Sequence, residues 1–311
     1  MVGYYTKRSK ADNFQKLSSP ISKDMWVDAP NITTQELHTL TQKYGLNSNI
    51  TYDVKDKQEL SRIELADDDV YVFIRVPILN TVGRVVTHPM LAIVHDRNFF
   101  TISTKTTVEP STVAEYTRPT TTRRGGDLLL GVVAACVAEY ELALKHTERS
   151  IDDTGSRLRT REITNQDFIH FVVVEDNLTS CRMNLSGILA TLGRLKEVTV
   201  NLFSKEQLEA LDDISLHIQQ LLVAVESYAG RVESIRNAYG TVANNTLNQR
   251  MQTLTVFTVM IALPNLFYGM YGMNVTGLPF HDQPWGYLFV LVLSLGITLL
   301  IFTIAKRLRI F

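Results

Sequence analysis

Charge is missing from two stretches of this chain. The 311 residues carry 31 Lys and Arg and 32 Asp and Glu. None of these, and no His, lies between Arg250 and His281 or from Pro284 to Ala305. Each run exceeds the ~20 apolar residues that cross ~30 Å of hydrocarbon. Upstream, the best apolar run (128–138) is bounded by Asp127 and Glu139 and is too short to span. It reads as a buried helix face. Residues 1–10 lack an apolar core, which argues against a cleavable signal peptide and predicts that the large first part stays where it was made. Basic excess is missing too. A net charge of -1 gives no bulk case for a nucleic-acid partner. Cysteine is scarce: Cys136 and Cys181 form no CxxC pair and read as reduced core thiols. The chain has no P-loop, HExxH, GxSxG or dinucleotide fingerprint, so no familiar enzyme signature is present.

The charges that remain set an orientation. Loop 275–283 has no Lys or Arg, whereas the tail reads Lys306-Arg307-Leu308-Arg309. Positive residues favour the cytoplasmic side, which places the tail inside and the loop outside. Two spans then keep the N-terminal part in the cytoplasm as well. The Tyr271-Gly272-Met273-Asn274 stretch falls at a membrane surface, at the end of the first uncharged run.

Ahead of the spans the pattern changes once. Residues 25–104 mix short strands and helices. Segments 70–76, 90–94 and 99–103 are rich in β-branched and aromatic residues and read as strands. Asp96-Arg97-Asn98 supplies a turn that makes the last two a hairpin. Thr33 and Glu36 have capping-box spacing, opening a helix that stops at Gly45. The acidic run Asp67-Asp68-Asp69 reads as a turn before a strand, because adjacent positions do not converge on one ion. From Asp127 the signal is helical, with helices predicted over 128–162 and 165–198. Ser204 and Gln207 form a second capping-box spacing and open a third helix with no proline before Pro264. Along it Ile214, Ile218, Leu221, Val225, Tyr228, Val232, Ile235, Tyr239 and Val242 alternate steps of four and three, the heptad pattern of a packing seam. One continuous helix of ~60 residues, ~90 Å long at 1.5 Å per residue, is expected. Gly230 and Gly240 are close-contact points or bends in it, and Pro264 removes one helix hydrogen bond.

Past Val242 the register slips by one residue. The stripe resumes at Asn248, Met251, Thr255, Thr258 and Ala262, with Leu254 beside it. It turns from large and apolar to small or polar as it enters the uncharged run. Polar side chains in a membrane helix face protein or water rather than lipid. Two readings stand at this point. One is helix–helix contact, where small and hydroxyl residues are common. The other is a pore lining shared by several copies, since two spans cannot enclose a pore alone.

At Gly269-Met270-Tyr271-Gly272-Met273-Asn274, and at Asn248-Gln249-Arg250-Met251-Gln252-Thr253-Leu254-Thr255, the chain resembles the CorA family of divalent-cation channels. The resemblance extends over nearly the whole length. It implies an α+β membrane protein: an N-terminal cytoplasmic α/β domain, a long stalk helix and two C-terminal transmembrane helices in a funnel-shaped homopentamer. The implied boundaries are an α/β domain at 1–125, helices packed on it at 126–203, stalk and pore helix at 204–274, external loop at 275–283, second span at 284–305 and tail at 306–311. It implies a selectivity filter of Tyr271, Gly272, Met273 and Asn274, with Asn274 accepting from the waters of a hydrated ion. It makes Asn248 an inner polar ring, Met251 and Leu254 an apolar gate, and Thr255 and Thr258 pore lining. It also implies a regulatory divalent ion held between protomers by Asp53 of one and Asp213 of the next. Mg2+ is then both transported and regulatory, with no organic cofactor, and the partners are other copies of the chain, the lipid bilayer and divalent cations. Here the proline stands one residue closer to Gly-Met-Asn than in the family pattern, and Asp282 is the sole acid in the loop. A zinc or cobalt/nickel transporter of the same fold is the nearest alternative, and a membrane-anchored scaffold without transport the next.

Overall fold

The computed structural model describes residues 2–9, 13–117, 120–160, 165–199, 203–273, 277–280 and 283–307. The chain divides into two compact units, Met1–Glu233 and Ser234–Phe311.

The first unit is built on a seven-stranded sheet. Its strands are β1 (Gly3–Thr6), β2 (Gln15–Lys16), β3 (Trp26–Ala29), β4 (Arg62–Ala66), β5 (Asp69–Leu79), β6 (Val85–His95) and β7 (Asn98–Ser103). Their spatial order is β2-β1-β3-β7-β6-β5-β4. Only the β3–β7 pairing is parallel. The long strands read as apolar runs because both sheet faces are covered. Cross-strand rows Tyr71–Ile93–Phe100 and Phe73–Leu91–Ile102 lie in one buried cluster with Leu37 and Leu40 of α1 (Thr34–Tyr44). Against the sheet also pack α4 (Gly125–Thr160) and α5 (Asn165–Thr199). Two short helices, α2 (Ser48–Tyr52) and α3 (Pro110–Tyr116), complete the unit.

Local signals account for most boundaries. Thr33 and Glu36 form the expected reciprocal capping box, and Gly45 ends α1 in the left-handed region at φ 69. Asp67 and Asp96 also take positive φ, each in the turn where its acidic or polar run sits. Cys136 and Cys181 are free and buried. Burial pushes both thiols up, that of Cys181 to about 12, so neither is a nucleophile at neutral pH. The Cys136 thiol and the Tyr140 hydroxyl both donate to the Arg75 carbonyl, at 3.4 Å and 2.8 Å. That anchors α4 to β5.

The expected long helix is α6 (Lys205–Tyr271), 67 residues that run through Pro264. Ser204 and Gln207 cap it reciprocally. Its seam is buried at Ile218, Leu221, Val225 and Val232, and Val242 is exposed. A Cβ added at Gly230 or Gly240 would meet nothing within 4 Å, so neither is a close-contact point within the chain. The second unit holds the rest of α6 and α7 (Gly286–Arg307). Both helices are long and apolar enough to cross a membrane.

One buried carboxylate interrupts the apolar sheet. Asp28, 6% exposed, accepts from the Thr101 hydroxyl at 2.7 Å, while Thr101 in turn accepts from the Trp26 indole N–H at 2.8 Å. Burial holds the Asp28 carboxyl above the usual carboxylate range; hydrogen bonds from Thr101 and Thr107 oppose the rise and Glu109 adds to it. A raised folded-state value means the group's contribution is complete below the unfolded value of ~3.9 and is lost as pH rises through the folded value. Asp28→Asn should therefore raise Tm relative to the parent at pH 7, with the gain vanishing near pH 4. Parallel Tm–pH curves for the two proteins would contradict this.

Candidate functional site

The uncharged end of α6 has two chemically different sides. One faces α7. Thr255, Val256, Val259, Met260 and Leu263 share an apolar cleft of about 180 Å³ with Thr298, Ile301, Phe302 and Ala305. On α7 the buried positions Gly286, Val290, Ser294 and Thr298 recur every four residues. Three of the four are small or hydroxyl residues of the kind common at helix contacts. The other side carries Asn248, Met251, Thr255, Thr258 and Ala262, all exposed in the chain, as is Leu254. At ~100° per residue this stripe is centred roughly 90° around the helix from the α7 side. Thr255 stands at its edge and touches the cleft. Helix contact with α7 therefore does not explain the rest of the stripe.

Hydroxyl geometry sharpens its chemistry. Thr255 donates to the Met251 carbonyl and Thr258 to the Leu254 carbonyl, both at 2.9 Å. Each hydroxyl hydrogen is thus used within the helix, and what faces outward is an oxygen acceptor. Asn265, which the motif reading passed over, is an exposed carboxamide toward the same side. Its signal was an amide one position past Pro264 in an uncharged run. Pro264 has no N–H to donate to the Met260 carbonyl, so the lattice of backbone bonds is open at that level.

At its C-terminal end α6 stops at Tyr271. The Gly272 N–H donates to the Tyr268 carbonyl at 2.9 Å. A Cβ on Gly272 would sit 3.2 Å from that same oxygen, tighter than ordinary contact, so glycine suits the close approach. The Tyr271 hydroxyl donates to the Pro279 carbonyl at 3.0 Å, tying the helix end to the connecting segment. Phe280 packs 4.8 Å from both Trp285 and Phe289, which ties that segment to α7. Tyr268, Tyr271, Gly272, Gly286, Tyr287 and Val290 line a recess of about 600 Å³ here. Met273 is exposed. Asn274 lies outside the described residues, as do His281 and Asp282.

The two carboxylates expected to share a regulatory ion lie in separate neighbourhoods of the first unit. Asp53 opens a one-turn 3-10 helix, Asp53–Lys55, and pairs with Arg62 at 2.7 Å. Arg62 also pairs with Glu59 and Glu64 and lies 4.4 Å from the Phe73 ring centre. The sequence reading did not anticipate this cluster. Asp213 is exposed on α6 and lines a cleft of about 190 Å³ with Tyr116, Arg124, Asp127 and Gln207. Asp127 there accepts from Thr120 and Gln207, both at 2.6 Å, and from Arg124 at 2.9 Å. Among the described residues no three His, Cys, Asp or Glu side chains are grouped as a metal cage would need.

Comparison with known proteins agrees with this architecture. The chain is 25% identical over 300 residues to the cobalt/magnesium transport protein CorA of Methanocaldococcus jannaschii, covering 91% of this chain and 90% of that protein. The complete structure of the CorA magnesium transporter from the same organism superposes with a TM-score of 0.81 at 20% identity, over 99% of this chain and 98% of that one. The full-length CmaX protein superposes with a TM-score of 0.72 at 15% identity, over 99% and 97% of the two chains. At these identities the structures speak for the fold. The sequence profile of the CorA-like Mg2+ transporter proteins matches residues 23–307, and the chain belongs to that family.

Proposed function

We propose that this protein is a divalent-cation channel that admits Mg2+ down its electrochemical gradient. The observation that carries the reading is the exposed polar stripe on α6, turned roughly 90° from the α7 side and leading toward Gly272-Met273-Asn274. A polar stripe in a spanning helix needs protein or water beside it, and α7 reaches only its Thr255 edge. Several copies of α6 around one axis supply both, which is the role of a homopentamer. Family membership supports that assembly, with 1–203 and the tail in the cytoplasm and the connecting segment outside.

The residues then divide the work. Gly272 carbonyls and Asn274 side chains form the outer filter, with Tyr271 and Met273 framing it. Mg2+ dehydrates reluctantly, so a filter that accepts hydrogen bonds from its waters recognises the ion without stripping it. Carbonyls at a helix C-terminus carry partial negative charge, which attracts a dication and still lets it leave. Thr255 and Thr258 continue the acceptor surface inward. Met251 and Leu254 form an apolar constriction that closes by excluding water, and Asn248 forms the inner ring. Entry is driven by ~2.3 kcal/mol per charge per 100 mV.

Asp53 and Asp213 of neighbouring copies would hold a regulatory Mg2+. Both are carboxylates on the surface of the first unit, and Mg2+ suits hard oxygen donors, using one or two carboxylates and keeping its other waters. A shared site fits the lack of a three-ligand group among the described residues. An ion that binds the closed arrangement better shifts the population toward it. Zinc prefers nitrogen and sulfur, and the proposed lining has oxygen donors and one thioether ring, which favours Mg2+ over the zinc alternative.

Two measurements test these assignments. In liposome flux assays comparing Mg2+, Co2+, Ni2+ and Zn2+, Asn274→Ala should cut Mg2+ flux at least tenfold. Undiminished flux would remove Asn274 from the filter. Asp213→Lys should keep current flowing at internal Mg2+ concentrations that close the parent channel. Unchanged inhibition would take Asp213 out of the regulatory site.

A further inference from the structure

Arg62 stands where a cation belongs. Its Nη2 is 2.7 Å from Asp53 Oδ2 and 2.6 Å from Glu64, and its Nη1 pairs with Glu59. One fixed positive charge is thus set among three carboxylates, next to the acid assigned to the regulatory ion. The guanidinium plane is held independently of Asp53. Phe73 stacks on it with 4.4 Å to the ring centre, β4 fixes its backbone, and Glu59 and Glu64 keep it oriented. A guanidinium does not lose its charge in a protein. Asp53 is half-exposed, with 47% of its side chain accessible, so a divalent ion can reach it from solvent.

We infer that Arg62 is a tethered cation that competes with the regulatory divalent ion for Asp53 and so raises the ion concentration at which the channel closes. This rests on the assignment of Asp53 to the regulatory site made above. The competition is graded rather than absolute. When an ion takes Asp53, Arg62 keeps Glu59 and Glu64, so freeing Asp53 breaks one exposed pair and leaves no stranded charge. An exposed pair of this kind corresponds to roughly a two- to fivefold change in apparent affinity. The sequence around the cluster thereby tunes the closing threshold without altering the carboxylates that bind the ion.

The test uses the full-length oligomer and two readouts. One is the Mg2+ concentration that gives the half-maximal rise in Tm, which reports binding to the folded state. The other is the internal Mg2+ concentration that halves flux. Arg62→Gln should lower both by about two- to fivefold, with the shift shrinking as NaCl is raised toward ~1 M. Asp53→Asn should flatten the Tm response, and the double variant should behave like Asp53→Asn alone. A merely loosened protomer would move the closing threshold upward, so a downward shift separates competition from damage. Thresholds unchanged or raised in Arg62→Gln, with Asp53→Asn flattened, overturn the competition. A wild-type Tm response in Asp53→Asn instead overturns the regulatory assignment of Asp53, and the inference with it. If Arg62→Gln does not assemble, Arg62→Lys decides: it keeps the charge and loses the planar fork, so a smaller downward shift supports the competition and none overturns it.

Discussion

Everything in the membrane part of this protein depends on one constraint: a polar group in hydrocarbon must find a partner. The backbone meets it by helix formation, which is why the uncharged runs become α6 and α7. Side chains meet it in two ways here. Thr255 and Thr258 turn their hydroxyl hydrogens back onto the helix. Ser294 and Thr298 of α7 are buried, Thr298 in the cleft it shares with α6. The outward face of the Asn248-to-Ala262 stripe, which α7 covers only at Thr255, is the surface on which the proposed assembly rests.

The same logic runs through the first unit with water excluded by packing instead of lipid. The sheet is covered on both faces, so its one buried acid, Asp28, stands only because Thr101 and Thr107 supply hydrogen bonds. Arg75 is similar: its guanidinium donates to the carbonyls of Lys57, Glu59 and Thr87. Those contacts hold the 57–59 segment against β5, and that segment precedes the Arg62 cluster. Glu59, one carboxylate of that cluster, is therefore held by a hydrogen bond from a strand in the body of the sheet.

Much of this was legible in the residues. β5, β6 and β7 announced themselves as apolar runs, both capping boxes formed as spaced, and the long helix ran through its proline. The short strands were not legible. Trp26-Val27-Asp28-Ala29 carries an acid in the middle of four residues, and its Thr101 partner lies on a neighbouring strand 73 residues away. Nor was the pairing of Asp53 with Arg62, which depends on a turn and a strand entry bringing positions nine apart together. For the site, motif spacing located α6's polar stripe. Its separation from the α7 side became visible only once the packing cleft was defined, because small and hydroxyl residues serve helix contact and water contact equally well in sequence. Asn274, the residue on which the filter assignment turns, lies outside the described residues.

The uncharged run between Arg250 and His281 has a consequence for acidity. The proposed pathway, lined by amides, hydroxyl oxygens, a thioether and backbone carbonyls, holds no group that gains or loses a proton near neutral pH. Its affinity for a passing cation comes from fixed dipoles, whose orientation acid and base leave untouched. Any response of this protein to acidification must then originate outside the proposed pathway, among groups such as His88 and Asp28, whose proton equilibria burial has already displaced. The proposed pathway and the groups with displaced proton equilibria thus occupy different parts of the chain.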